Sequence, residues 1–300
     1  MLLQDLKSEY IFHCQCRKLS ERTIKNYEML LRLLLAYLEE DKGVTTLEGL
    51  QPIHIKQFIN HKSQKGRKPN YLNDLLKVYK NFFKYLHEEE YTETILTAKI
   101  KNVKKPKVII QTFSNDEVKA MIDYYKGYNY LAIRNKVILI MLFDTGIRLS
   151  ELTTMKREQI KEDYFVIEGK GNKQRVVPKS PFLAKWLFKY LNVRESYFAN
   201  RVVSDIVFPS RNGKVLTAEM MNRIVKDAGA YANVKTDMRV SPHSCRHTFA
   251  QMQLKNGLDI YSLSRLMGHE NISITEQYLL GLKDREVLNA GRRTSPLMNL

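Results

Sequence analysis

The sequence contains few cysteines. Its 300 residues include three, Cys14, Cys16 and Cys245, which are too few and too unevenly placed for a disulfide framework. A reducing cytoplasm is therefore the expected compartment. Cys14 and Cys16 stand beside His13, but no second pair of ligands follows at zinc-site spacing, so we expect ordinary helix residues and no metal site there.

Long apolar segments are also missing. The longest unbroken apolar run covers residues 137–143, far short of the roughly 20 residues that a membrane-spanning helix needs. The N-terminus has no basic region followed by an apolar core, so the sequence predicts no secretory signal. A membrane partner is therefore not expected.

Acidic residues are outnumbered by basic ones. The chain has 49 Lys and Arg against 32 Asp and Glu, a net charge of +17 and a pI near 9.6. Such a charge favours a polyanionic partner, and without a membrane segment nucleic acid is preferred. A hydrophobic content of 44% over 300 residues is enough for two packed domains.

Residues 1–100 have the pattern of a helical domain. Ser20 can cap a helix whose apolar residues recur every three or four positions, and Pro52 suits the first turn of another helix. A basic loop follows that second helix, and its cations are Lys62, Lys65, Arg67 and Lys68. The loop either contacts DNA phosphates or is simply solvated, and the charge run alone leaves both interpretations open.

Residues 101–108 separate this region from the rest of the chain. A proline and several lysines, among them Lys104 and Lys105, break the helical pattern there, as in an exposed basic connector that can contact DNA. Residues 109–300 are mainly helical, except for a β-hairpin pattern at residues 164–178. The predicted fold is therefore mainly α: an N-terminal helical bundle, a linker, and a mostly α domain with a small antiparallel β-hairpin.

Arg148 follows the end of an apolar helix. The apolar run leads into Asp144-Thr-Gly146, and a new helix is predicted to start near Ser150. An arginine at such a break can be fixed by packing on both sides while its guanidinium faces a cleft. Taken alone, a surface arginine with its stem packed over apolar neighbours is the better interpretation.

A second candidate lies at the start of a later helix. Ser241 suits the N-cap and Pro242 the first helical position, so His243 and Arg246 share a face near the helix start. Free backbone N–H groups and the positive end of the helix dipole make such a place a site for anions. For His243 alone, a buried histidine with satisfied hydrogen bonds is an equally good interpretation.

Tyr278 is placed by a third pattern. Gly268 can end a helix and leave His269 in the following loop. Ser273 and Glu276 have the spacing of a capping box, which predicts a helix over residues 274–280 that carries Tyr278. With 17 tyrosines in the chain, ordinary packing is a serious alternative for any one of them.

Four short motifs occur in a fixed order along the chain. They are Thr145-Gly-Ile-Arg-Leu-Ser-Glu-Leu152, Gly169-Lys-Gly-Asn-Lys173, His243-x-x-Arg246, and Leu266-Met-Gly-His269 followed nine residues later by Tyr278. In order and spacing they resemble the tyrosine recombinase (phage integrase-like) family. Each motif is weak alone, but four in order are a strong signal, and the helical N-terminal region and basic linker extend the resemblance over nearly the whole chain. Met267 stands where Leu is commoner, which affects no catalytic position.

The resemblance implies a reaction at a DNA phosphodiester. Tyr278 would be the nucleophile and form a covalent 3′-phosphotyrosyl bond. As the phosphorus becomes five-coordinate, negative charge builds on the non-bridging oxygens, and Arg148 and Arg246 can hold these with forked hydrogen bonds. The family pattern assigns a further hydrogen bond on those oxygens to His269, and help in accepting the phenol proton to His243.

Other positions receive supporting roles from the same resemblance. The leaving 5′ oxygen needs a proton, and family analogy gives that general-acid role to Lys170 at the hairpin tip, with Lys173 as the competing candidate. Glu151 is expected to orient an arginine. Lys173 and Arg175 are expected to contact DNA.

The resemblance also implies partners. We expect double-stranded DNA with paired inverted binding sites and a homotetramer on two such sites, with a second recombinase or DNA-bending accessory proteins as further candidates. No Asp/Glu cluster of metal-site character accompanies these residues, so no metal is expected, and no cofactor either. ATP is not needed, because a phosphodiester is exchanged for a phosphotyrosine of similar energy. The compact length favours a Xer-like or transposon-borne enzyme, cytoplasmic and nucleoid-associated in a prokaryote. The tail, residues 282–300, would dock in a neighbouring catalytic domain; packing on its own domain or disorder is the alternative.

Two other functions use similar residues. A type IB topoisomerase has a similar set of Arg, Lys, His and Tyr, but the short, all-helical N-terminal region argues against it. A DNA-binding protein that kept the fold without activity is disfavoured, because all six catalytic positions are filled. Integration, excision or resolution of DNA by a site-specific recombinase is therefore the predicted function.

Overall fold

A computed structural model describes residues 1–106, 110–169, 173–235 and 238–282, together with Leu288 and Arg292. The chain divides into two compact units, Met1–Lys107 and Val108–Leu300. Over the described ranges, no helix combines the length and the apolar character needed to cross a membrane. Within the same ranges, no group of His, Cys, Asp and Glu side chains has the arrangement of a metal site.

The first unit is a helical bundle. Its helices are α1 (Leu3–Cys16), α2 (Glu21–Lys42), α3 (Pro52–Gln64) and α4 (Pro69–Glu88). The hydroxyl of Ser20 accepts a hydrogen bond from the backbone N–H of Thr23 and caps α2, as the sequence predicts. The helices enclose an apolar and aromatic core that includes Leu34, Phe58 and Tyr79.

The second unit is also mostly helical. Its helices are α5 (Asn115–Tyr124), α6 (Tyr130–Thr145), α7 (Leu149–Thr154), α8 (Pro181–Phe198), α9 (Ala218–Tyr231), α10 (Pro242–Lys255), α11 (Ile260–Met267) and α12 (Ser273–Glu276), with 3₁₀ turns at Arg157–Gln159 and Leu279–Gly281. The apolar α6 is buried along most of its length and packs against α8 and α10. This central helix fixes the start of α7, where Arg148 lies.

A β-hairpin interrupts the helices. Strands β1 (Tyr164–Glu168) and β2 (Gln174–Pro178) pair antiparallel, with Tyr164 opposite Pro178 and Glu168 opposite Gln174. Phe165, Ile167 and Val177 are buried under the hairpin. The mainly α fold with a small antiparallel sheet is thus confirmed.

The segment around Tyr278 differs from the prediction. A continuous helix over residues 274–280 is wrong, because α12 ends at Glu276 and the chain continues through a turn into the 3₁₀ turn Leu279–Gly281. The capping box at Ser273 does not form, since Asn271 Oδ1 accepts the hydrogen bond from the Ser273 backbone N–H. Tyr278 therefore lies between two short helical turns and packs against α10 and α11 through a small apolar cluster.

Candidate active site

Arg148 lies where two helices meet. α6 ends at Thr145 and is capped by Gly146, whose φ of 57° is left-handed and where a Cβ would overlap the ring of Phe249. Arg148 follows at the N-cap of α7. Its Nη1 donates to Glu151 Oε1 at 2.8 Å and its Nη2 to the Gly268 carbonyl at 2.7 Å, while 37% of the side chain stays exposed. The guanidinium is therefore fixed in place and still open to a ligand.

Glu151 binds two arginines at once. Besides Arg148, Arg175 donates from Nη1 and Nη2 to the two carboxylate oxygens at 2.8 and 2.7 Å. The Glu151 side chain is 7% exposed. Burial raises the pKa of its carboxyl, but the hydrogen bonds and charges of Arg175 and Arg148 outweigh burial and hold that pKa below its ordinary value. Glu151 is therefore a carboxylate at neutral pH that holds both guanidinium groups.

Arg175 does not lie where a DNA contact was predicted. Its side chain is 9% exposed, and its Nε donates to the Leu266 carbonyl at 2.8 Å. β2 places the guanidinium against Glu151, so a phosphate would have to displace a buried carboxylate to reach it. The expected DNA contact is corrected accordingly: Arg175 is an internal support that joins the hairpin to Glu151 and to the end of α11.

Arg246 is buried near the start of α10. Ser241 caps this helix through the Ser244 N–H. The Arg246 guanidinium donates to the carbonyls of Gly146 and Met267, the latter at 2.7 Å. Burial lowers the pKa of Arg246 to about 10, with help from the charges of neighbouring arginines, so the side chain remains a cation at neutral pH. Its position is set by carbonyls from two different segments.

His269 is bound to Arg246. Its Nε2 lies 3.0 Å from Arg246 Nη2, and its Nδ1 lies 2.8 Å from Thr275 Oγ1. Because an arginine can only donate, Nε2 accepts and the ring proton is on Nδ1. Burial, and next the charge of Arg246, lower the pKa of His269 to about 4, so the imidazole is neutral. To donate to a phosphate through Nε2, His269 would have to release Arg246 and carry a proton on Nε2, which a change of tautomer supplies if the Thr275 hydroxyl then donates to Nδ1.

His247 is the hydrogen-bond partner of Tyr278. The hydroxyl of Tyr278 lies 2.9 Å from His247 Nδ1. His243, the partner expected from sequence, is exposed and instead contacts the His247 ring edge-on at 4.1 Å between centroids. The sequence reasoning missed His247, although its position four residues after His243 places both rings on one face of α10.

Tyr278 is covered by the protein. It is 2% exposed and belongs to an apolar cluster with residues of α10 and α11. Burial raises the pKa of its phenol, while the charges of Arg246 and Arg148 act in the opposite direction without cancelling that rise. The phenol is therefore neutral in the free protein and must lose its proton during any attack on phosphorus.

The remaining predicted residues lie at the edge of the site or elsewhere. Lys173 is exposed and pairs with the exposed Glu270 at 3.0 Å. Lys170 lies outside the described residues, as does nearly all of the tail. In the first unit, Lys65, Arg67, Lys68, Lys104 and Lys105 are exposed. Lys62 is partly covered and lies over the Phe58 ring, 5.0 Å from its centroid.

Comparison with known proteins covers both units. Residues 111–284 match the phage integrase family, and residues 9–90 match the N-terminal SAM-like domain of phage integrases. Over 269 residues the chain is 29% identical to the tyrosine recombinase XerD of Haemophilus influenzae, covering 89% of this chain and 90% of that protein. It is 28% identical to the tyrosine recombinase XerD of Yersinia pestis, covering 87% of each.

Solved structures share the fold. XerH site-specific recombinase bound to palindromic difH substrate in a post-cleavage complex matches with a TM-score of 0.77 at 20% identity, covering 92% of this chain and 81% of that one. A lambda integrase dimer bound to a COC′ core site matches with a TM-score of 0.73 at 16% identity, covering 93% and 95%. The family match over residues 111–284, more than half of the chain, shows that the chain belongs to the phage integrase family of tyrosine recombinases.

Proposed function

We propose that the chain is a site-specific DNA recombinase in which Tyr278 attacks a DNA phosphodiester. Its phenolic oxygen bonds to phosphorus, and the 5′-hydroxyl strand departs, leaving a 3′-phosphotyrosyl bond. The observation that carries this proposal is the place of Tyr278. Its hydroxyl is held by His247, and Arg246 and Arg148 lie close enough for their charges to lower the pKa of the phenol.

Arg148 and Arg246 form the anion clamp in this proposal. Each guanidinium is fixed by backbone carbonyls, Arg148 by Gly268 and Arg246 by Gly146 and Met267. Cations that are fixed before the reaction stabilise the charge that develops on the non-bridging oxygens without reorganising. Glu151, supported by Arg175, orients Arg148 toward this task.

The departing 5′ oxygen needs a proton, and the rejoining step reverses the cleavage. Lys170 protonates the departing 5′ oxygen, and Lys173 is the alternative acid, already paired with Glu270. Since a phosphotyrosine is similar in energy to the bond that was cut, the 5′-hydroxyl of a partner strand can reverse the reaction without ATP. We infer no metal and no cofactor for this exchange.

The proposed partner of both units is DNA. Residues 1–100 are the core-binding domain, 101–108 the linker and 109–300 the catalytic domain. The exposed cations of the first unit contact phosphates of a duplex with paired inverted sites. Strand exchange takes four protomers on two sites in a prokaryotic cytoplasm, with a second recombinase or DNA-bending proteins as further partners, and the tail couples neighbouring protomers. The lambda integrase dimer on a core site supports the duplex partner.

A covalent-trapping experiment tests the proposal and finds the site. Nicked duplexes with randomised inverted arms are incubated with the protein, and adducts are recovered under denaturing conditions. We expect adducts with the wild type and none with Tyr278→Phe, which loses one oxygen and keeps specific binding. Adduct formation by Tyr278→Phe would show that another residue attacks, and a wild type that binds without adduct would indicate a DNA-binding protein. Relaxation of supercoiled DNA without joining a second duplex would indicate a topoisomerase.

A further inference from the structure

We propose that His247 is a catalytic residue of this reaction and accepts the proton of Tyr278 on Nδ1 as the phenolic oxygen bonds to phosphorus. This inference rests on the proposed function and adds a residue to it. It replaces His243 as the immediate partner of the nucleophile and leaves His243 one contact further away.

The geometry fixes both partners of this hydrogen bond. Tyr278 Oη and His247 Nδ1 are 2.9 Å apart, within the range of a direct proton transfer. The two rings are tilted at 58° with centroids 5.4 Å apart, so the imidazole meets the hydroxyl at its edge and does not stack on the phenol. α10 carries His247 directly after Arg246, so the proton acceptor and one arm of the anion clamp move as one rigid element.

The surroundings keep the His247 imidazole neutral, so that it can accept a proton. Burial, then the charges of His243, Arg246 and His269, lower the pKa of His247 to about 4, so its imidazole is neutral in the free protein. A neutral imidazole has one nitrogen that accepts, and with Nδ1 as that acceptor the phenol donates. A phosphate bound at Arg246 would offset the charge of this arginine, which raises the pKa of His247 when a proton must be taken up.

The step balances without an added reactant. The Oη–H bond of Tyr278 breaks and its proton passes to His247 Nδ1, while Oη bonds to phosphorus. The bond from phosphorus to the 5′ oxygen breaks, and that oxygen takes its proton from the general acid, proposed as Lys170. His243 is exposed and touches the His247 ring, so it can pass the proton on to solvent. Rejoining reverses every transfer.

Substitutions at His247 separate proton transfer from support of the ring. Asn can place its amide oxygen near the position of Nδ1 and accept a hydrogen bond, but it cannot hold the proton; Ala does neither. On nicked duplexes carrying the trapped site, we expect His247→Asn and His247→Ala to slow single-turnover cleavage by about 10²-fold or more, with unchanged DNA binding. His87→Asn, at a histidine of the first unit, is the matched control and should cleave normally.

Cleavage is then measured with a more acidic phenol at position 278. Fluorinated tyrosine introduced at position 278 ionises more readily, so it should restore much of the cleavage lost in both His247 variants. A substrate with sulfur as the bridging 5′ atom should rescue Lys170→Ala and not the His247 variants, because it relieves only the leaving group. The proposal would be overturned if His247→Asn cleaved at the wild-type rate, or if fluorotyrosine at position 278 restored no cleavage in the His247 variants. Cleavage by His247→Ala faster than by the wild type would overturn it as well. The wild type and Tyr278→Phe are measured alongside. The proposed function fails if the wild type forms no adduct or if Tyr278→Phe forms one, whereas the role of His247 is judged from the His247 variants.

Discussion

The two units of the chain differ in how they place their charges. Among the residues that the structure describes in the first unit, Lys7 is the one buried cation, at 7% exposure, and the core is otherwise apolar and aromatic. The second unit buries Arg134, Lys136, Arg194 and Arg246. Burial of a cation costs free energy unless the charge is paired or hydrogen-bonded.

The buried cations of the second unit all have partners. Lys136 pairs with Asp123 at 3.4 Å. Arg134 and Arg194 donate to backbone carbonyls of residues 204–209 and so hold that segment in place. Arg246 uses the same kind of bond beside Tyr278, where the remaining positive charge can act on a substrate. The first unit has no comparable cluster among its described residues, and its other cations are exposed or partly exposed. Substitutions of the buried cations in the second unit should therefore reduce cleavage or stability, whereas those of exposed cations in the first unit should reduce only DNA binding.

The largest effect is expected at Arg246. Arg246→Lys keeps the charge but loses the fork that spans the carbonyls of Gly146 and Met267, so the cation is no longer fixed. Single-turnover cleavage should fall by about 10²- to 10³-fold, the usual loss when a preorganised donor is removed. The control is Arg223→Lys, at an exposed arginine of α9, which should cleave like the wild type. Equal rates for both variants would mean that Arg246 supports the fold and not the reaction.

A smaller effect, on stability as well as activity, is expected at Glu151. Glu151→Gln leaves the buried Arg175 guanidinium without a carboxylate, and removing one partner of a buried pair costs about 3 kcal/mol. Chemical denaturation should show this loss, whereas Glu158→Gln at an exposed carboxylate should change stability by less than about 1 kcal/mol.

The pH dependence of that difference has a definite sign. Because the folded protein holds the pKa of Glu151 below its ordinary value, the ion pair contributes fully above that ordinary value. Its contribution is lost as pH falls through the lowered pKa. The gap in stability between wild type and Glu151→Gln should therefore shrink in acid, and a gap that stays constant with pH would contradict the role of the carboxylate charge.

The sequence predicted the regular elements well and the side-chain network poorly. The β-hairpin was predicted at its observed strands because alternating apolar residues flank a glycine-containing turn. Arg175 was expected to contact DNA but binds Glu151 on α7, because the charge of a cation does not reveal its partner. The predicted helix through Tyr278 was wrong because the expected capping box does not form: Asn271 accepts from the backbone N–H of Ser273, and the Ile272 carbonyl accepts from that of Glu276.

His247 shows a different limit of sequence reasoning. Its spacing from His243 was visible in the sequence, but the family motif assigns a role to His243 and none to its neighbour on the same helix face. The contact with Tyr278 depends on how the turn after α12 packs on α10, a tertiary feature that local patterns do not encode. Of the residues recognised by resemblance, Arg246 and His269 are in direct contact, and Tyr278 lies near Arg148 and Arg246. The missed residue was the one that only packing could reveal.

The smallest effect is expected from the exposed cations of the first unit. Lys65 and Lys68 are exposed, and replacing both with Gln should leave the free energy of unfolding nearly unchanged. If both contact phosphates, DNA binding weakens for every sequence alike, and the slope of log affinity against log salt falls by about 0.9 for each lysine. Lys25→Gln with Lys84→Gln removes the same charge from lysines paired with glutamates, so it should leave the slope unchanged. Equal slopes for the two double variants would mean that the loop between α3 and α4 is only solvated, and that the first unit binds DNA through another face.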